Sequence, residues 1–236
     1  MADMQPRETA YDGNLHRSLL EARWAVFFDN AGIPYEYEYN GYKLGQLGKT
    51  WYLPDFWLPE QKTWVEVKPR SDVVGTDLKK ITHFEKALQN EPKRSQFYVF
   101  VGSPYVNGRR HTYEIFRIFP DIGTLGYGIP LRSIPASDLR ITKSQLRWMH
   151  CPLCERLQLT AGFGHVRDVD DKAEEERLRC HYCRDGGAEV DEKMRFTRSD
   201  GKYVTTERLG YILGSPRLMK AYRAARAFKA PRKGSS

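Results

Sequence analysis

Three residues stand out by type and spacing. They are Asp55, which follows Pro54, and the pair Glu66 and Lys68, which flanks Val67. Ten residues lie between Asp55 and Glu66. Residues two apart on an extended strand point to the same face, so a strand over 63–69 puts Glu66 and Lys68 on one side. A hairpin with the preceding strand brings Asp55 toward Glu66. Two carboxylates held together resist ionisation unless a cation binds between them. A hard divalent ion such as Mg2+, or Mn2+ in its place, suits oxygen ligands and keeps several waters. Such an ion polarises a phosphoryl oxygen and makes a bound water nucleophilic. Lys68 then orients that water or stabilises charge developing on the phosphate. The competing reading is a solvated strand face, with Glu66 and Lys68 as a surface pair of little worth.

The second constellation is Cys151, Cys154, Cys180 and Cys183, two CxxC pairs with 25 residues between them. Each pair bends around a metal with two thiolates, and two pairs complete a tetrahedral Zn2+ site. A site closed by four thiolates has no open position, so the zinc is expected to be structural. It would stabilise a small zinc-ribbon-like module. A redox or free-thiol role is the alternative.

The hydrophobic pattern gives the elements that must position these residues. Leu15, Leu19, Ala22, Val26 and Phe27 predict a helix over 15–31, ended by Gly32 and followed by Pro34. Strands are expected at 35–42, at 51–58 with Pro54 inside it, and at 63–69. A helix over 77–90 and a continuous apolar strand over 96–102 follow. Residues 111–119 add a strand, and the Gly- and Pro-rich stretch 120–140 reads as a connector. The order α-β-β-β-α-β is that of a mixed α/β domain. Tyr35, Tyr37, Tyr39, Tyr42, Trp51, Trp57 and Trp64 are expected in the core or on sheet faces rather than as base-stacking platforms.

Pro54-Asp55, with Glu66-Val67-Lys68 beyond it, resembles the signature of the PD-(D/E)XK nuclease superfamily, which has the restriction-endonuclease-like fold. The resemblance covers about residues 14–103, and the expected element order is similar to that family's core. It implies Mg2+-dependent hydrolysis of DNA phosphodiesters. Asp55 and Glu66 would hold the metal, with the Val67 carbonyl as a further ligand. Lys68 would assist the water, and Glu21, on the first helix, would be an auxiliary member of the site. Lys79 and Lys80 on the following helix are candidate contacts to a DNA backbone.

Charge is distributed unevenly. The 236 residues carry 38 Lys and Arg against 30 Asp and Glu, a net charge of +8. Residues 1–140 hold 18 basic and 17 acidic side chains, net +1, whereas 193–236 hold 12 and 2, net +10. Between the CxxC pairs lies an acidic run, DVDDKAEEE. A short helix is expected over 205–213. In a second one, from about 216 to 229, Arg217, Lys220, Arg223 and Arg226 make a basic face suited to phosphates. The chain therefore divides into a nuclease domain (1–140), a zinc-ribbon-like module (141–192) and a basic helical DNA-binding tail (193–236). Deleting that tail is expected to weaken DNA binding and flatten its salt dependence.

The function expected is a Mg2+-dependent DNA endonuclease acting on double-stranded or branched DNA. Fold-level analogy suggests phage or mobile-element processing, as in a junction resolvase, a transposon-end nicking subunit or a larger DNA-processing complex. No G-x4-GK[ST] loop is present, which argues against a self-contained helicase-nuclease. Two rivals stand beside it: a non-catalytic DNA-binding or assembly subunit using the nuclease fold as a scaffold, and an RNA-directed protein. The chain has no apolar run of the ~18 residues a membrane span needs, and no signal-peptide core. A cytoplasmic address is expected, that of the host cell if the protein is phage-encoded.

Overall fold

The computed structural model describes residues 7–44, 50–70, 77–89, 91, 95–107, 110–120, 139–144, 146–150, 156–160, 164–166, 177–179, 188–189, 196–197, 203–204 and 215–230. The chain forms two compact units, one of Met1–Ser144 with Ala221–Ser236 and one of Gln145–Lys220.

The first unit opens with a hairpin of β1 (Thr9–Tyr11) and β2 (Asn14–His16), then α1 (Leu19–Ala31). Five short strands follow: β3 (Glu36–Tyr37), β4 (Tyr42–Leu44), β5 (Thr50–Tyr52), β6 (Phe56–Leu58) and β7 (Thr63–Lys68). After α2 (Leu78–Gln89) come β8 (Gln96–Val101), β9 (Val106–Asn107), β10 (Arg110–His111), β11 (Glu114–Pro120) and β12 (Leu139–Ser144). Six of these form one mixed sheet in the order β12-β11-β8-β7-β6-β3. β7 and β8 run parallel, joined through α2, and the other neighbours are antiparallel. A parallel pair needs such a crossover. The protein is thus mixed α/β.

Both faces of the central strands are covered, which is why β8 reads as an unbroken apolar run. Phe97, Val99 and Val101 join Trp64 and Tyr52 against Ile81, Phe84 and Leu88 of α2. On the opposite face Phe100 meets Trp24 of α1 at 4.7 Å, and Phe56 meets Phe28 at 5.4 Å. The expected aromatic core holds for Trp64, with Trp57 and Tyr42 packed against it. Tyr39 and Trp51 are outside the core, 56% and 60% exposed, with Trp51 on the β4–β5 ladder and the Tyr39 ring 6.1 Å from that of Trp64.

Three boundaries differ from the sequence pattern. The first helix starts at Leu19, because Ser18 is its N-cap and accepts the Glu21 N–H. Leu15, which fits the helical spacing, lies instead in β2 and is exposed. The expected strand 35–42 is interrupted at Glu38, whose φ of 48° is left-handed. The expected strand 51–58 separates into β5 and β6 around Pro54, which has no N–H for a ladder. Gly32 ends α1 as expected, at φ 61°, a conformation that costs a glycine little.

In the second unit β13 (Arg147–His150) pairs with β14 (Leu157–Thr160), and β16 (Arg177–Arg179) lies between β15 (Gly164–Val166) and β17 (Ala188–Glu189). β18 (Phe196–Thr197) pairs with β19 (Tyr203–Val204). In sequence, each CxxC falls between two strands that pair antiparallel. The four cysteines, the acidic run and the expected helix 205–213 lie outside the described residues.

The last helix, α3 (Pro216–Ala227), is capped by Ser215, whose Oγ accepts the Leu218 N–H at 3.2 Å. From Ala221 onward the chain belongs to the first unit. Tyr222 stacks on Phe27 of α1 with centroids 4.8 Å apart, and its hydroxyl hydrogen-bonds that of Tyr113 at 2.8 Å. Among the described residues, no helix is long and apolar enough to cross a membrane.

Candidate functional site

The hairpin that brings Asp55 to Glu66 is present. β6 and β7 pair with Phe56 opposite Val65. One step further along that register sets Asp55 across from Glu66. There the ladder stops, and the Asp55 side chain replaces a backbone acceptor: its Oδ2 takes the Val67 N–H at 2.6 Å. Asp55 and Glu66 are only 4% and 7% exposed. The cluster is not a solvated strand face.

Two cations thread through it. Arg17 reaches Asp55 Oδ1 through Nη2 at 2.9 Å and Glu38 through Nε at 2.6 Å. Lys68 Nζ sits 2.8 Å from Glu66 Oε1 and 2.7 Å from Asp77 Oδ2. The other Glu66 oxygen accepts from the Tyr52 hydroxyl at 2.9 Å. That bond fixes the carboxylate's rotation on β7.

Glu21 lies at the near end of α1 and closes the helix's own N-terminus. Its Oε1 accepts from Ser18 Oγ at 2.7 Å, and its Oε2 accepts from Tyr37 at 2.7 Å and from the Arg17 N–H at 3.1 Å. This is a capping-box arrangement, Ser18 and Glu21 three apart. Its charge still acts on Asp55.

Burial is the largest influence on both acids of the site. Burial pushes the Asp55 carboxyl well above its ordinary range, and the charges of Glu66 and Glu21 push it further. The Val67 N–H and Arg17 offset this only in part. Burial likewise raises Glu66, against the opposing pull of Lys68. Burial disfavours the charge on Lys68, but Glu66 and Asp77 outweigh it and hold the ammonium above its ordinary value. Lys68 is therefore a fixed cation. Tyr52 is raised by burial and by Glu66, so its hydroxyl stays a donor.

Of the residues singled out in the sequence, Asp55, Glu66, Val67 and Lys68 come together. Glu21 stands beside them, with its hydrogen bonds directed to the helix cap. Lys79 and Lys80 are exposed on the first turn of α2, two and three residues beyond Asp77. Arg217, Lys220, Arg223 and Arg226 are exposed on α3, with the Arg226 guanidinium 5.4 Å from the Tyr105 ring centroid. Sequence reasoning missed Arg17, Tyr37, Tyr52 and Asp77. Ser18-x-x-Glu21 was readable as a cap, but no local pattern marks Arg17 as the partner of a residue 38 positions away.

Among the described residues, no group of three or more His, Cys, Asp or Glu is placed to hold a metal. The donor set on offer is the Asp55 and Glu66 carboxylates with backbone carbonyl oxygen. Its chemistry fits a hard, oxygen-liganded dication, because the two acids are buried together and resist ionisation without added positive charge. No protein-family model, no curated protein and no solved structure matches the chain.

Proposed function

We propose that the first unit is a divalent-metal-dependent DNA endonuclease of the PD-(D/E)XK type. The observation that carries this reading is the charge imbalance at the end of β7. Four carboxylates, of Glu38, Asp55, Glu66 and Asp77, pair there with two cations, Arg17 and Lys68, and the charge of Glu21 adds to that on Asp55. Asp55 and Glu66, with the Val67 carbonyl, would hold Mg2+ or Mn2+. That ion, when bound, supplies Lewis-acid polarisation of the phosphate and a water activated for attack.

The chain's own residues do the rest. Asp55 is locked to the β7 backbone, and Glu66 is locked by Tyr52, so both acids are held without reorganisation. Lys68 stays charged and donates. It stabilises negative charge growing on the phosphate, or orients the water, and does not take a proton. The exposed cations of α3, with Lys79 and Lys80, would grip the DNA backbone without reading sequence. Cys151, Cys154, Cys180 and Cys183 would hold a structural Zn2+, a reading that rests on their spacing. The test is cleavage of plasmid, linear, branched and single-stranded DNA with Mg2+ or Mn2+. Loss of cleavage in Asp55→Asn and Lys68→Ala is expected, and equal cleavage by both variants overturns the site.

One observation favours a second reading, the fold as a non-catalytic DNA-binding scaffold. Both Asp55 oxygens already have donors, Arg17 and the Val67 N–H. Tight DNA binding with no cleavage of any substrate, DNA or RNA, would support it.

A further inference from the structure

We propose that Arg17 is a resident counter-cation for Asp55, competing with the divalent ion for the same carboxylate. The inference rests on the metal-centre reading above and adds a residue to it. Asp55 Oδ2 is committed to the Val67 N–H, which leaves Oδ1 as the oxygen turned away from the β7 backbone. Arg17 Nη2 stands on that oxygen at 2.9 Å. A divalent ion at Asp55 would meet a guanidinium there, and like charges a few ångströms apart repel strongly outside bulk water.

The surroundings allow Arg17 to leave. Its side chain is 53% exposed, whereas that of Asp55 is 5% exposed, so the acid is fixed and the base is at the rim. Glu38, 28% exposed, holds the Nε and gives the displaced guanidinium a partner. The Arg17 backbone is anchored separately from the side chain. Its N–H is held by Glu21 Oε2 at 3.1 Å and by the Tyr37 hydroxyl at 3.0 Å. The arrangement lets the metal-free protein keep a buried carboxylate in place and sets a threshold that metal must overcome. Arg17 is a positioning residue in this account: it acts through Asp55.

The test is isothermal titration of Mn2+ and Mg2+ into the full-length wild type, Arg17→Met and Arg17→Gln, with thermal melts of each protein with and without metal. Both variants remove the charge, and Gln keeps a donor for Asp55 in case Met folds poorly. The account expects metal to bind each variant about tenfold tighter than wild type. It also expects a lower melting temperature without metal, recovered at saturation. A purely structural Arg17 would lower the melting temperature and leave the affinity unchanged or weaker, and that result overturns the inference while leaving the metal centre standing. Absence of binding in all three proteins would overturn the metal centre and the inference together. Binding in the variants but not in wild type would support both.

Discussion

The Asp55 carboxylate hydrogen-bonds the Val67 backbone N–H at 2.6 Å. A side chain therefore finishes the β6–β7 ladder, and the acid is built into the sheet rather than hung from it. Asp55→Ala would strip that buried N–H of its acceptor, at about 1–3 kcal/mol. Asp55→Asn keeps an acceptor and removes a charge that burial, Glu66 and Glu21 all disfavour. In metal-free buffer at pH 8, Asn should be at least as stable as wild type and Ala clearly less stable, by urea denaturation.

Asp77 is the second carboxylate paired with Lys68, besides Glu66. Asp77→Asn leaves the ammonium charged through Glu66 but free to rotate. Cleavage should fall by about tenfold, against a loss of about a hundredfold or more for Lys68→Ala. Single-turnover rates at saturating metal would show the difference. Equal losses would mean that Asp77 does more than orient the lysine.

Glu85 is a buried acid remote from this network. It lies on the packed face of α2, with Gln89 as its hydrogen-bond partner at 2.8 Å. Burial raises its carboxyl to about 7, with Gln89 opposing the shift. A raised folded-state pKa means that the folded protein holds the proton more tightly than the unfolded chain. Its contribution is thus fully present below the unfolded value of about 4.5 and is lost as pH rises through about 7. The loss is up to about 3 kcal/mol. Glu85→Gln should flatten the fall in stability over that window, measured by denaturant midpoints from pH 4 to 8.

The basic tail is best tested by charge rather than by deletion. Deleting residues 193–236 also removes Tyr222, which is buried on Phe27 and bonded to Tyr113. Loss of an aromatic of that kind costs about 3 kcal/mol or more. The exposed Lys220 and Arg223 can be changed to Gln without touching that packing. The double variant should bind DNA more weakly and lower the salt slope by about 0.9 per lost phosphate contact. An unchanged slope in filter binding would remove α3 from the DNA contact.

Much of the architecture was legible because period and punctuation agree along most of the first unit. The β-branched stretch 63–69, the continuous apolar run 96–102 and the helical spacing over 77–90 gave the elements observed at 63–68, 96–101 and 78–89 nearly to the residue. The pairing of Asp55 with Glu66 followed from strand spacing. What escaped depended on contacts between distant segments or on single backbone angles. Leu15 matched the helical period but lies before the Ser18 cap, and Glu38 turns the chain with a left-handed φ in an otherwise alternating stretch. Glu21 carried two signals, a site acid and a cap acid, and its hydrogen bonds are those of the cap. Arg17 and Asp77 enter the site through tertiary packing, which no local pattern encodes.

The central claim is that Asp55, Glu66 and Lys68 form a metal-dependent hydrolytic centre for DNA. The direct measurement is cleavage of a panel of linear, nicked, branched and single-stranded DNA by wild type, Asp55→Asn and Lys68→Ala, with Mg2+, Mn2+ or chelator. The account predicts metal-dependent cleavage of at least one substrate by wild type, lost with chelator and lost in both variants. Cleavage that persists unchanged in either variant, or wild-type protein that binds DNA and cuts none of the panel, would contradict it.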